Sequence, residues 1–169
     1  VDLDMRRASL AAEVGLEVDR GVESFLEGEI TNLADIGHRI EGCNLGLFPA
    51  ASRQRNTAEL LASEYFTQMI DILRNRSEAA VVLFDLPPAF ANDDAMIALA
   101  QLDAFVLVVD SGKTTRRHVQ DVLGMLYPTP CVGSILNRYR GGLGDSYGYG
   151  YGSANYGKYY NKAAPETED

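Results

Sequence analysis

The sequence predicts an α/β fold, a doubly wound and mainly parallel sheet flanked by helices. Three apolar runs carry that expectation: Ala79-Ala-Val-Val-Leu-Phe-Asp85, Ala104-Phe-Val-Leu-Val-Val-Asp110 and Cys131-Val-Gly-Ser-Ile-Leu-Asn137. Each is continuously apolar and ends in a polar residue, the pattern of a strand buried on both faces. Segments with helical spacing separate them, so right-handed crossovers should join parallel neighbours.

In chain order, a shorter strand is expected at Asn44-Leu-Gly-Leu-Phe48, stopped by Pro49. Residues 57–76 place Leu61, Tyr65, Phe66, Met69, Ile70 and Leu73 on one face of a helix. Asn56 and Glu59 are spaced as its capping box. A shorter helix is expected from Asp93 to Gln101, and another from Thr114 or Thr115 to about Leu126, before Pro128. At residue 141 the composition turns to Gly, Tyr, Ser, Asn and charge, with no aliphatic stripe. Two regions follow: a domain over 1–140 and a disordered tail over 141–169.

The 169 residues suit one domain plus a tail, and no run of about 18 apolar residues marks a membrane span. The opening Val1-Asp-Leu-Asp4 has no basic region ahead of an apolar one, so no signal peptide is expected, and a charged strand-like start looks truncated. A net charge of −9 argues against nucleic-acid binding. Cys43 and Cys131 lack metal spacing and are expected to be buried reduced thiols, while His38 and His118 lack a second ligand at helical or turn spacing. Reduced thiols fit a cytoplasmic protein.

In an open α/β sheet, ligands bind beyond the carboxyl ends of the strands. Asp2, Asp4, Asp85 and Asp110 stand at such ends. Asp85 closes an apolar strand, as a Walker B aspartate does when it delivers a carboxylate to the magnesium ion of a nucleotide. A strand-to-turn aspartate before Pro87-Pro88 is the plainer alternative. Val1-Asp-Leu-Asp-Met-Arg-Arg7 resembles the Walker A′ motif of the bacterial tyrosine kinases of capsule and exopolysaccharide synthesis, and Asp85-Leu-Pro-Pro88 resembles their Walker B. The resemblance runs on through Asn44-Leu-Gly-Leu-Phe-Pro-Ala50, Asn56-Thr-Ala-Glu-Leu-Leu-Ala-Ser63 (Thr57 replacing proline), Asp110-Ser-Gly-Lys-Thr-Thr115 and Asn137.

That resemblance implies a P-loop NTPase-like fold and a magnesium- and ATP-dependent tyrosine autokinase. It implies roles for Asp85 and Asp2 at the metal, with Asp2 near the proton of the attacking tyrosine. It places Asp4 in support of the metal site or a subunit interface, and Arg6 and Asn137 near the nucleotide. Arg6 forming a local ion pair with Asp4 is the plainer alternative. The resemblance also implies a ring-like homo-oligomer, a membrane-bound polysaccharide co-polymerase (chain-length) partner, a tyrosine phosphatase and a place at the inner face of the membrane.

One motif is a decoy. Gly112-Lys-Thr-Thr115 resembles the end of a P-loop, but the required glycine five residues earlier is Leu107, inside a strand. The family's first strand, P-loop and first helix would precede Val1, so the chain alone is expected to bind ATP weakly and to be inactive. Tyr147, Tyr149, Tyr151, Tyr156, Tyr159 and Tyr160 alternate with glycines in the tail and resemble the family's autophosphorylation cluster. Two other readings compete: a non-catalytic regulator of polysaccharide assembly, and a partition- or septum-placement-type ATPase, which usually lacks a tyrosine tail.

Overall fold

The computed structural model of the chain describes residues 1–76 and 80–140. The predicted tail, with its six tyrosines, and the first residue of the run expected over 79–85 lie outside them.

Short helices α1 (Leu10–Glu13) and α2 (Val22–Leu26) follow an extended start, then a 3₁₀ turn at Leu33–Ile36. Strands β1 (His38–Ile40) and β2 (Leu45–Leu47) form an antiparallel hairpin. Helices α3 (Thr57–Leu61), α4 (Glu64–Arg74) and α5 (Asp94–Leu99) come next. Strand β3 (Phe105–Asp110), helix α6 (Arg116–Met125) and strand β4 (Cys131–Asn137) complete the order, with β3 and β4 parallel. This is the expected α/β architecture, with an antiparallel hairpin added to the parallel pairing.

The extended start is the central lane of one half of the fold. Asp2 N–H donates to Phe48 O at 2.9 Å and Leu3 N–H to Asp85 O at 2.8 Å. Asp85 N–H donates to Val1 O at 2.9 Å, giving a parallel bridge between Asp2 and Asp85. Leu3 and Met5 are fully buried beneath it against Phe25, Leu26, Leu61, Phe66 and Met69. Helix α4 buries Phe66, Met69, Ile70 and Leu73, the three-to-four spacing of an amphipathic helix.

Two glycines are required by this packing. A Cβ on Gly21 would run into the backbone of Ala51 and Pro49. Gly28 has φ +76°, and a Cβ there would meet the Tyr65 ring at 2.5 Å.

Several expectations are corrected. The helix expected over 57–76 is two helices, because Ser63 leaves helical geometry and its hydroxyl accepts Phe66 N–H at 3.3 Å as a new cap. Asn56 makes no cap bond, so the Asn56/Glu59 capping box does not form. A capping box forms instead at α6, between Thr115 and His118. The run ending at Asp85 pairs on one side only, and Val81 and Leu83 are 88% and 75% exposed, not buried on both faces. Every residue of β4 is exposed, since nothing among the described residues covers either face. Cys43 and Cys131 are exposed thiols, Cys43 at a hairpin turn and Cys131 on that uncovered strand.

Phe66→Ala should lower stability by about 3–5 kcal/mol, because Phe66 is fully buried and its neighbours belong to three different segments. Urea unfolding should show the midpoint falling with little change in slope.

Candidate functional site at the carboxyl ends of the strands

The Asp2–Asp85 bridge puts two carboxylate-bearing residues side by side, on lanes about 4.8 Å apart. Asp2 is 1% exposed; its Oδ1 accepts Asp4 N–H at 3.1 Å and its Oδ2 has no protein partner. Burial raises the Asp2 carboxyl above the ordinary 3.8, and the nearby Asp85 charge adds to that, while the amides of Ala50, Asp4 and Leu10 oppose it. Asp85 presents more surface, yet its carboxyl is also raised, first by desolvation and then by the charge of Asp4.

Backbone ties hold the loop carrying Asp4. Arg7 and Ala8 N–H both donate to Asp4 O at 2.9 Å, and Gln54 N–H donates to Met5 O at 2.9 Å. The 49–54 segment is itself fastened by Glu23, 3% exposed, whose carboxylate accepts Ala51 N–H, Ser52 N–H at 2.7 Å and Ser52 Oγ–H at 3.1 Å.

Arg6 departs from the local ion-pair reading. Its guanidinium pairs with Asp94, Nε to Oδ2 at 2.9 Å and Nη2 to Oδ1 at 3.4 Å, and not with Asp4. Asp94 is 1% exposed and also accepts the Thr57 hydroxyl at 2.7 Å. Arg6 therefore ties the Asp4 loop to α5 and α3, because a buried carboxylate captures the nearest guanidinium. Asp94, Thr57 and Glu23 were missed in the sequence: each stands at a helix start, where a polar residue reads as a cap.

Asn137 and Asp110 sit at the paired ends of β4 and β3. Asn137 Oδ1 accepts Arg138 N–H at 2.8 Å. In the Gly112-Lys-Thr-Thr115 turn, Lys113 and Thr114 N–H both donate to Asp110 O, at 3.2 and 3.0 Å, and Thr115 N–H points to His118 Nδ1 at 3.4 Å. Those amides are engaged, so the turn presents no phosphate cradle.

Among the described residues no group of three or more His, Cys, Asp or Glu side chains is arranged to hold a metal. A magnesium ion needs less from the protein: one or two carboxylates, with water and phosphate oxygens completing the octahedron. The unpartnered Oδ2 of Asp2 beside Asp85 fits that requirement. No helix among the described residues is long and apolar enough to cross a membrane.

Carboxylates converging at strand ends of a parallel α/β sheet define a P-loop NTPase-like domain, and comparison with known proteins agrees. The kinase domain of VpsO superposes with a TM-score of 0.73 at 29% identity, covering 82% of this chain and 68% of that domain. CpsD of Streptococcus pneumoniae, named a tyrosine-protein kinase, is 33% identical over 144 residues, 82% of this chain and 60% of CpsD. EpsB of Ralstonia solanacearum is 28% identical over 180 residues, 99% of this chain and 23% of EpsB. No family model matches the chain. The chain is similar to bacterial tyrosine-protein kinases, and it spans less than two thirds of the length of these curated relatives.

Asp94→Ala should cost about 1–3 kcal/mol, because it leaves the buried Thr57 hydroxyl and Arg6 without their acceptor. Thermal or urea unfolding should read the loss. Asp2 and Asp85 bind a proton more readily folded than unfolded, so at neutral pH their charges destabilise the fold. Stability contributed by these groups should rise as pH falls through their raised pKa values toward 3.8. Asp2→Asn should accordingly be more stable than the parent at pH 7, with the difference shrinking toward pH 4. An unchanged urea midpoint at pH 7 would contradict this.

Proposed function

We propose that this chain is the carboxylate-bearing part of an ATP- and magnesium-dependent protein-tyrosine autokinase acting in exopolysaccharide or capsule assembly. The observation that carries the reading is the Asp2–Asp85 bridge, which sets a buried, unpartnered carboxylate oxygen beside a second carboxylate at the carboxyl ends of strands. Asp85 and Asp2 would hold magnesium, largely through water, with Asp4 in support. Asp2 would also stand near the proton of the attacking phenol, a group with a free pKa of about 10. Magnesium, when bound, neutralises charge on the transferring phosphoryl group. Asn137 lies beside the nucleotide base.

Arg6 has another place in this reading. Its bond to Asp94 makes it a brace for the Asp4 loop and not a ligand of the nucleotide. The phosphoacceptors are Tyr147, Tyr149, Tyr151, Tyr156, Tyr159 and Tyr160 on the 141–169 tail, modified in trans within a homo-oligomer at the inner face of the membrane. A membrane-bound co-polymerase and a tyrosine phosphatase are the partners this role calls for.

The phosphate cradle would come from chain beyond these residues in the whole protein. The uncovered apolar rows at Val81, Leu83, Val106 and Val108 support that, since a sheet of this class is covered on both faces. The lack of a phosphate cradle among the described residues leaves a second reading, a non-catalytic regulator of the same machinery.

Two measurements decide between them. The 169-residue chain should bind a fluorescent ATP analogue with a Kd weaker than about 1 mM, with or without magnesium. The whole protein should phosphorylate its own tyrosines, and Asp85→Asn should abolish the anti-phosphotyrosine signal. A whole protein that stays unphosphorylated with ATP and magnesium establishes the regulator instead.

A further inference from the structure

The Gly112-Lys113 turn, although no P-loop, is not idle. It brings Lys113 over the end of β3, where Lys113 Nζ lies 3.5 Å from Asp110 Oδ2. Arg138 arrives at the same oxygen from the end of β4, Nη1 at 2.9 Å. Arg138 reaches it from a left-handed backbone, φ +56°, held by its N–H bond to Asn137. A non-glycine residue adopts that conformation at a cost, and such outliers gather at binding sites. Asp110, Ser111, Lys113, Arg138 and Arg140 line one cavity of about 280 Å³. Three cations face one carboxylate there, on a chain whose net charge is −9.

We propose that this cavity binds a phosphate monoester dianion, and that its ligand is a phosphorylated tyrosine of the 141–169 tail. Lys113 and Arg138 are 75% and 68% exposed, so their pairing with Asp110 is weak enough to be shared with a stronger anion. A phosphoryl group offers three acceptor oxygens to the Arg138 and Arg140 forks, the Lys113 ammonium and the Ser111 hydroxyl. Recognition through side-chain cations is the mode of phosphopeptide sites, whereas a nucleotide's phosphates need backbone N–H groups that are engaged here. The cavity has room for a phosphorylated ring tip. The tail starts at residue 141, directly after Arg140, and the seven residues from Arg140 to Tyr147 reach at most about 25 Å, enough to turn back into the cavity. A modified tail would thus be retained at the ends of β3 and β4.

The proposal rests on the autokinase reading only for the origin of the phosphate, so it is tested without catalysis. A labelled peptide of residues 143–153, phosphorylated at Tyr147, is titrated with the 169-residue chain alongside its unphosphorylated twin. The phosphopeptide should bind at least about tenfold more tightly, and added salt should weaken it. Arg138→Gln should remove most of that preference. Arg140→Gln, at the end of the described chain and outside every helix and strand, should reduce it severalfold without changing the melting temperature. Equal binding of the two peptides, or a preference that survives all three of Lys113→Gln, Arg138→Gln and Arg140→Gln, overturns the proposal. Displacement by ATP at lower concentration than by free phosphotyrosine also overturns it, in favour of a nucleotide subsite. Discriminating binding with no autophosphorylation of the whole protein keeps the cavity and removes the kinase reading; autophosphorylation without discrimination does the reverse.

Discussion

Everything at the candidate site hangs on one strand lane, residues 1–3, hydrogen-bonded to Phe48 on one side and Asp85 on the other. The lane has to be extended for both bonds to form, and extension sends Leu3 inward and Asp2 to the strand end. Its burial also explains why Asp2 is a costly charge. A carboxylate so buried loses water, accepts the Asp4 amide on one oxygen, and has a second carboxylate on the next lane. Such an arrangement lowers stability at neutral pH and suits a site that a cation would complete.

Around that lane the protein uses buried carboxylates as fasteners. Glu23 is bonded to the amides that follow β2, and Asp94 gathers Arg6 and Thr57 from two other segments. Each replaces lost hydration with charge-assisted bonds, so each is far more sensitive to loss of a partner than a surface pair would be. Together they set the Asp4 loop, the 49–54 segment and α5 in one arrangement. Arg6 belongs to this framework through its bond to Asp94.

The second half of the fold behaves differently. Strands β3 and β4 pair in parallel with one register shift between Phe105 and Val106, yet β4 is exposed along its whole length. Among the described residues its pairing with β3 holds it in place, while Val122 of α6 and Leu126 pack with Phe105 and Leu107 of β3 in a small cluster. At the ends of those strands, charge takes over from packing: Asp110 orients Arg138 and Lys113 on the same oxygen. The fold therefore holds two electrostatic environments, carboxylate-rich near residues 2 and 85 and cation-rich near residues 113 and 138.

The sequence by itself determined the α/β class, the runs at 104–110 and 131–137, a helix start at Thr114 or Thr115 and the standing of Asp2 and Asp85 at strand ends. Those features depend on periodicity and local turn chemistry, which are written along the chain. Only the tertiary structure decided that Arg6 answers Asp94 across 88 residues, that Glu23 fastens a loop 28 residues away, and that Lys113 meets Arg138. Burial was equally illegible: Val81, Leu83 and all of β4 read as core and are exposed. An apolar run states which strands are able to be buried; whether they are depends on what packs over them, and that is a property of three-dimensional neighbours.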